Sequence, residues 1–181
     1  NIILKTRLKE RYRFDQLVGI SFKMQAIYDQ IDRMRHNSPN VLIQGESGTG
    51  KELTAHVIHN NSDRRQKAFM PVNCKSFGKG IAENQMYDHT LNLFKSSAGG
   101  TIFFDEITEI ALDIQAEISR AYMEKIQHGA AGDNKPSADV RLLAATNRNV
   151  EEASGHEIVN QDFLNCINNV IIQMPPLRER K

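Results

Sequence analysis

The sequence predicts an α/β protein built on a five-stranded parallel sheet with helices on both faces. Three observations carry that prediction. Apolar runs of strand length recur along the chain, segments of helical spacing separate them, and a glycine-rich turn follows the first run at once. The 181 residues suffice for one domain with a proper core. Hydrophobic residues make up 40% and charged residues 25%, an ordinary water-soluble composition. A net charge of +1 calls for neither nucleic acid nor membrane as a direct partner. No apolar run approaches membrane-spanning length, and the opening Asn-Ile-Ile-Leu-Lys-Thr-Arg is no signal peptide. The chain opens on Asn1 instead of Met, and a fragment of a longer protein is the expectation. Cys74 and Cys166 make neither a disulfide framework nor a metal site, so a reducing cytoplasm is the expected compartment. The histidines, His36, His56, His59, His89, His128 and His156, are scattered without metal spacing.

Residues 1–13 carry Lys5, Arg7, Lys9, Arg11 and Arg13 and read as a solvated linker from a preceding domain. From Phe22 to Arg35, Met24, Ile27, Ile31 and Met34 fall at helical spacing, and Pro39-Asn40 ends that element. Val41-Leu42-Ile43 is a short buried strand. Leu53, Val57 and Ile58 continue a helix to about Asn61. Phe69–Asn73 is the second strand and Thr101–Phe104 the third. Ile110, Ile114, Ile118, Tyr122 and Ile126 recur at every fourth position, which predicts a long, core-facing helix. Val140–Thr146 is the fourth strand. Val170–Met174 is the fifth, closed by Pro175-Pro176. Gly78–Ser97 and Gly129–Ala138 read as loops at one end of the sheet.

The chemistry concentrates in three places. Residues 45–52 read Gly45-Glu46-Ser47-Gly48-Thr49-Gly50-Lys51-Glu52, a phosphate-binding loop between a strand and a helix. Glycines let the backbone curl around phosphate oxygens with its N–H groups inward. The following helix adds its positive N-terminus, and Lys51 reaches the outer phosphates. Position 52 holds Glu52 in place of the usual Ser or Thr. The strand Thr101–Phe104 then ends in Asp105-Glu106, where α/β sheets bind ligands. Asp105 is placed to hold Mg²⁺ through water, and Glu106 to orient and deprotonate the attacking water. Asn147 ends another strand. Its position fits either a contact beside the terminal phosphate or a helix N-cap.

Five blocks occur in order: Gly45–Glu52, Val72-Asn73-Cys74, Gly99–Ile107, Val140–Asn147 and Pro175–Arg180. Together they resemble the AAA+ domain of bacterial sigma-54 enhancer-binding, NtrC-like transcription regulators. The resemblance runs from about Phe14 to Lys181 and implies the large subdomain of an AAA+ P-loop NTPase, residues 14–181. It implies that the family's helical lid and DNA-binding helix-turn-helix lie beyond this chain, and that a receiver or sensor domain lies before it. By the same resemblance Lys51 is the Walker A lysine, and Asp105 and Glu106 are the Walker B pair. Asn73 is the switch asparagine that bonds the catalytic glutamate. Asn147 becomes the sensor I residue, and Val18 and Gly19 become the adenine-side segment. The implied cofactors are ATP and Mg²⁺. The implied partners are further copies of the chain, as a dimer or a ring hexamer, RNA polymerase, and DNA through a domain outside this chain.

Two departures matter. The family's Gly-Ala-Phe-Thr-Gly-Ala loop, which contacts sigma-54, should fall between Met86–His89 and Phe94. Here His89-Thr90-Leu91-Asn92-Leu93-Phe94 runs straight through. The family's two arginine fingers align with Asn160 and Cys166, and no arginine lies between Glu151 and Met174. Such an arginine contributes on the order of 10³–10⁵ in rate, so weak ATP hydrolysis, or hydrolysis that relies on another residue, is expected. The pattern resembles degenerate family members, vibrio biofilm regulators among them, that act with the housekeeping polymerase and respond to cyclic di-GMP. Members that bind this nucleotide carry arginines where Asp15 and His56 stand here, so the ligand would sit differently. Arg11 and Arg13 are candidate phosphate contacts, with a solvated linker as the plainer reading. The expected function is an ATP-binding regulatory module of a transcription regulator. An active ATPase that remodels a polymerase holoenzyme is the alternative. A metabolic phosphotransferase ranks last, since no acceptor-binding constellation accompanies the P-loop.

Overall fold

A computed structural model of the chain describes residue 17 and residues 21–130, 139–150 and 158–180. Five strands form one parallel sheet: β1 (Val41–Gln44), β2 (Phe69–Asn73), β3 (Thr101–Asp105), β4 (Arg141–Thr146) and β5 (Val170–Gln173), in the order β2-β3-β4-β1-β5. The helices whose full span lies among the described residues include α1 (Phe22–Arg33), α2 (Lys51–Asn60), α3 (Glu83–Ser96), α4 (Leu112–Ala130) and α5 (Gln161–Ile167). The central strands are apolar throughout because both sheet faces are covered. Ile102 and Phe104 of β3, with Leu142 and Ala144 of β4, join Phe94, Ile118 and Phe163 in one core. Phe103, Leu143 and Ala145 point the other way, into a second core with Met24, Ile31, Ala55 and Ile58. Phe104 and Phe163 meet edge to face at 6.0 Å between ring centroids. Pro71 lacks an N–H, and it sits where that is tolerated, on the edge strand β2.

The strand order decides where the chemistry gathers. β4 lies between β1 and β3, so its C-terminal tip separates the glycine loop from the Asp105-Glu106 tip. Beyond β1 the chain enters α2, which packs in the second core. Beyond β4 it passes to Val150 and Phe163 in the first. The exits diverge to opposite faces and open a crevice between the two strand ends, where open α/β sheets bind ligands.

The five strands and the three long-spaced helices fall where the sequence placed them. The expected loop over Gly78–Ser97 is corrected: α3 occupies 14 residues of it, Glu83–Ser96, unbroken. Its buried stripe is Met86, Thr90 and Phe94, followed by Ser97. Thr90 is inside because its hydroxyl donates to the Met86 carbonyl at 3.0 Å. The short α5 was not anticipated. Of the second expected loop, Gly129 and Ala130 close α4, and residues 131–138 lie outside the described residues. Ile110 precedes α4 and is buried with Ile118, while Ile114 and Tyr122 are partly buried. The side chain of Ile126 lies outside the described residues, as do residues 1–16 with Arg11, Arg13 and Asp15. No helix among the described residues is long and apolar enough to cross a membrane.

Candidate nucleotide site

The glycine loop is shaped by a few residues. Gly48 and Gly50 have φ of +77° and +82°, a left-handed backbone that glycine adopts without a Cβ penalty. Gly45 is required for a different reason: a Cβ there would lie 2.7 Å from the Met174 Cβ. Thr49 closes the loop by donating its hydroxyl to the Glu46 carbonyl at 2.7 Å. Gly50 then hands the chain to α2, so the loop ends on a helix N-terminus whose free N–H groups face it.

Lys51 is 7% exposed, an unusual burial for a lysine. Its ammonium donates to the Gly45 carbonyl at 3.0 Å and lies 3.2 Å from Glu106 Oε1. Glu106 Oε2 accepts the Asn147 backbone N–H at 3.0 Å. The strand order thus brings Lys51, Glu106 and Asn147 together from three neighbouring strand ends. Glu106 holds a left-handed backbone, φ +61° and ψ +66°, uncommon for a residue with a side chain and worth about 1–3 kcal/mol of local strain. Asn147 stands three residues ahead of the helical Val150 and so is not the residue that caps it.

Asp105 sits at the tip of β3, and its carboxyl is held above the usual range. Burial is the main cause, followed by the charges of Glu106 and Glu52, with Lys51 and Lys75 working the other way. That surplus of negative charge suits a cation. No group of three or more His, Cys, Asp or Glu side chains gathers among the described residues to hold a metal. A single carboxylate shared with nucleotide phosphates is a donor set that suits Mg²⁺. Because the folded-state pKa of Asp105 is raised, the acid form favours folding. The resulting stability is present below the ordinary carboxylate range and is lost as pH rises through the raised value. Asp105→Asn is accordingly expected to melt higher than the unmodified protein at pH 7. The difference should close on acidification, as thermal unfolding at both pH values would read.

Other expected residues fall differently. Asn73 stands beside Asp105 in the sheet register, but its Oδ1 accepts the Lys75 N–H at 3.0 Å instead of meeting Glu106. Ser47 and Glu52 are exposed at the loop and the helix start. The Glu46 side chain is taken by Arg178, whose Nη1 and Nη2 donate to its two oxygens at 2.9 and 3.0 Å. Arg180 donates to the Thr49 carbonyl. The Pro175–Arg180 block therefore braces the glycine loop from outside, a role no local pattern revealed. Val18 and Gly19 lie outside the described residues.

The two positions aligned with arginine fingers have other work. Asn160 caps α5, its Oδ1 accepting the N–H groups of Asp162 and Phe163 at 2.9 and 3.1 Å. Cys166 is buried in the first core, and burial pushes its thiol up to about 11. Burial likewise pushes the Cys74 thiol up. Neither cysteine has the low pKa of a reactive thiol.

The sigma-54 interaction domain family matches residues 17–173. The nitrogen fixation protein AnfA of Azotobacter vinelandii is 36% identical over 188 residues, covering 98% of this chain and 35% of that protein. The DNA-binding transcriptional regulator NtrC of Escherichia coli is 32% identical over 176 residues, covering 91% of this chain and 38% of its own length. The chain thus spans little more than a third of these relatives. The crystal structure of NtrX from Brucella abortus in complex with ATP superposes with a TM-score of 0.74 at 26% identity, over 98% of this chain and 42% of that one. The P-loop NTPase domain of a sigma-54 transport activator from E. coli shares the fold, with a TM-score of 0.60 at 14% identity over 88% of this chain and 99% of that one.

Proposed function

The chain belongs to the sigma-54 interaction domain family, and from that premise we propose that it is the ATP-binding regulatory module of a DNA-binding transcription regulator, turning ATP over slowly. The observation that carries the reading is the convergence of Lys51, Glu106 and Asn147 on one phosphate loop. Gly45–Glu52 wraps the phosphates and Lys51 binds the outer ones. Asn147 stands beside the terminal phosphate, and Val18 and Gly19 serve the adenine side. Asp105 would hold Mg²⁺, which supplies charge neutralisation at the phosphates when bound. Asn73 completes the site by turning toward Glu106 once nucleotide is present.

Two features support regulation over fast work. The unbroken α3 leaves no inserted lever for sigma-54, which supports action without that factor, through RNA polymerase and through DNA bound by a domain outside residues 1–181. Residues 1–13 serve as the linker from a preceding domain in this reading, and the compartment is the cytoplasm. Asn160 and Cys166 carry no charge to a neighbour's ATP. The nucleotide would then act by favouring one assembly, dimer or ring hexamer, over another. A cyclic di-GMP input to biofilm genes belongs to the same reading, although not through His56. That ring packs at a tilt against Phe69, 4.2 Å between centroids, in place of an arginine that could reach a phosphate. The second reading, an active ATPase that remodels a polymerase holoenzyme, is favoured by the well-formed Lys51–Glu106 pair.

Titration with ATP and with cyclic di-GMP by calorimetry, with assembly state read in parallel, tests the proposal. Glu106→Gln is expected to keep ATP affinity within about threefold and to cut the slow turnover by on the order of 10²-fold. Turnover at rates on the order of 1–100 s⁻¹ that Glu106→Gln abolishes would favour the second reading.

A further inference from the structure

The segment after β5 grips the phosphate loop from outside, and one of its contacts falls on the peptide that carries a ligand-facing donor. We propose that Arg180 is a positioning residue for nucleotide binding: by holding the Thr49 carbonyl it keeps the Gly50 N–H turned toward the phosphates. The proposal rests on the ATP-site reading above and adds to it a residue outside the loop that sets one of the loop's donors.

The chain leaves β5 already fastened to the loop. The Met174 N–H donates to the Gln44 carbonyl at 2.7 Å, joining the ends of β5 and β1. The buried Met174 side chain stands against Gly45, and its sulfur accepts the Thr54 hydroxyl at 3.5 Å. After Pro175-Pro176 a short 3-10 turn, Leu177–Glu179, reverses the chain. The Glu179 N–H donates to the Pro176 carbonyl at 2.9 Å, and Lys23 of α1 holds the Glu179 carboxylate at 2.5 Å.

Arg180 follows that turn. Its Nε donates to the Pro175 carbonyl at 3.0 Å, and its Nη2 donates to the Thr49 carbonyl. Both acceptors are main-chain carbonyls, one just past β5 and the other in the loop that follows β1. A guanidinium is a rigid planar fork, so two contacts at its edge fix its place against the loop.

The consequence for the loop follows from peptide geometry. A trans peptide is planar, and its C=O and N–H point in opposite directions. The Thr49 carbonyl faces Arg180, so the Gly50 N–H of the same peptide unit faces away from it. Gly50 stands at the N-terminus of α2, where unpaired N–H groups attract anions. Among the described residues no acceptor meets the Gly50 N–H. The other side of Gly50 is already fixed, since its carbonyl accepts both the Thr54 N–H and the Thr54 hydroxyl at 2.9 Å. Gly50 has no Cβ to resist rotation of the peptide before it. The plane of the Thr49–Gly50 peptide therefore depends on Arg180. Without the guanidinium that peptide is free to flip, and a flipped peptide turns a carbonyl oxygen toward the phosphates in place of a donor.

The test is calorimetric titration of ATP and of inorganic tripolyphosphate into the protein and into Arg180→Ala, Arg180→Lys and Arg178→Ala, each well below its melting temperature. Arg180→Ala is expected to weaken both ligands by on the order of tenfold or more, and by the same factor, because tripolyphosphate meets the phosphate loop alone. Arg180→Lys keeps a cationic donor for the Thr49 carbonyl and is expected to recover part of the loss. Arg178→Ala is expected to lose less than Arg180→Ala, since Arg178 and Glu46 form an exposed pair. Affinities of Arg180→Ala within about threefold of the unmodified protein overturn the proposal. So does a loss confined to ATP, a larger loss in Arg178→Ala, or no recovery in Arg180→Lys. Should Arg180→Ala fail to fold, Arg180→Lys decides: a loss of about threefold or more for both ligands supports the proposal, and unchanged affinity overturns it. Failure of the unmodified protein to bind ATP would overturn the ATP-site reading itself, and this proposal with it.

Discussion

Lys51→Ala lowers ATP affinity on the order of 100-fold and leaves the chain folded. The ammonium is buried at the loop mouth and already meets the Gly45 and Glu46 carbonyls at 3.0 and 3.4 Å and Glu106 at 3.2 Å, so its position is set before a nucleotide arrives. A charge-assisted contact of this kind is worth about 1.5–3 kcal/mol, and each 1.4 kcal/mol is tenfold in affinity. Removing the lysine also leaves the carboxylates of Asp105 and Glu106 to repel the incoming phosphates. The fold does not depend on Lys51, because α2 is anchored by Ala55, Val57 and Ile58 in the second core. Calorimetric titration beside circular dichroism checks both halves. An affinity within threefold of the unmodified protein would place the nucleotide elsewhere.

Cys166→Arg destabilises the chain by about 3 kcal/mol, so an arginine finger cannot simply be put back at this position. Cys166 belongs to the first core with Phe163 and Ile167. An arginine must either bury an unpaired charge or push α5 off the sheet, and both belong to the severe class of single changes. For a domain of this size that amounts to a fall in Tm of about 6–12 °C. Cys166→Ala, which keeps the site small and apolar, should cost far less. Thermal unfolding of the two variants side by side reads the contrast, and equal melting temperatures would contradict the packing described for α5.

How much of this was legible in sequence depends on whether the signal was local. The strands were, since Ile102-Phe103-Phe104 and Leu142–Ala145 are apolar in both directions of the pleat and nothing else explains such runs. The glycine loop was, because two of its glycines answer a backbone need that other residues meet at a cost. Helix α3 was not. Its buried stripe contains Thr90, a residue that a count of apolar positions passes over. Helix α5 has only seven residues, too few to show a period, and its clearest mark is the cap at Asn160. The brace from Arg178 to Glu46 joins residues 132 apart, and no window along the chain brings them together. The crowding of Lys51, Glu106 and Asn147 follows from β4 lying between β1 and β3, and that order belongs to the fold and to no single motif.

The nucleotide site described above works without a neighbour's help. The most direct test is steady-state ATP hydrolysis per chain, measured across protein concentrations that span assembly, with the assembly state recorded at each point. A slow rate that stays flat as copies associate is expected. A rate that climbs with assembly to on the order of 1–100 s⁻¹ would contradict it, because a rise of that kind requires a catalytic group supplied from the adjacent subunit.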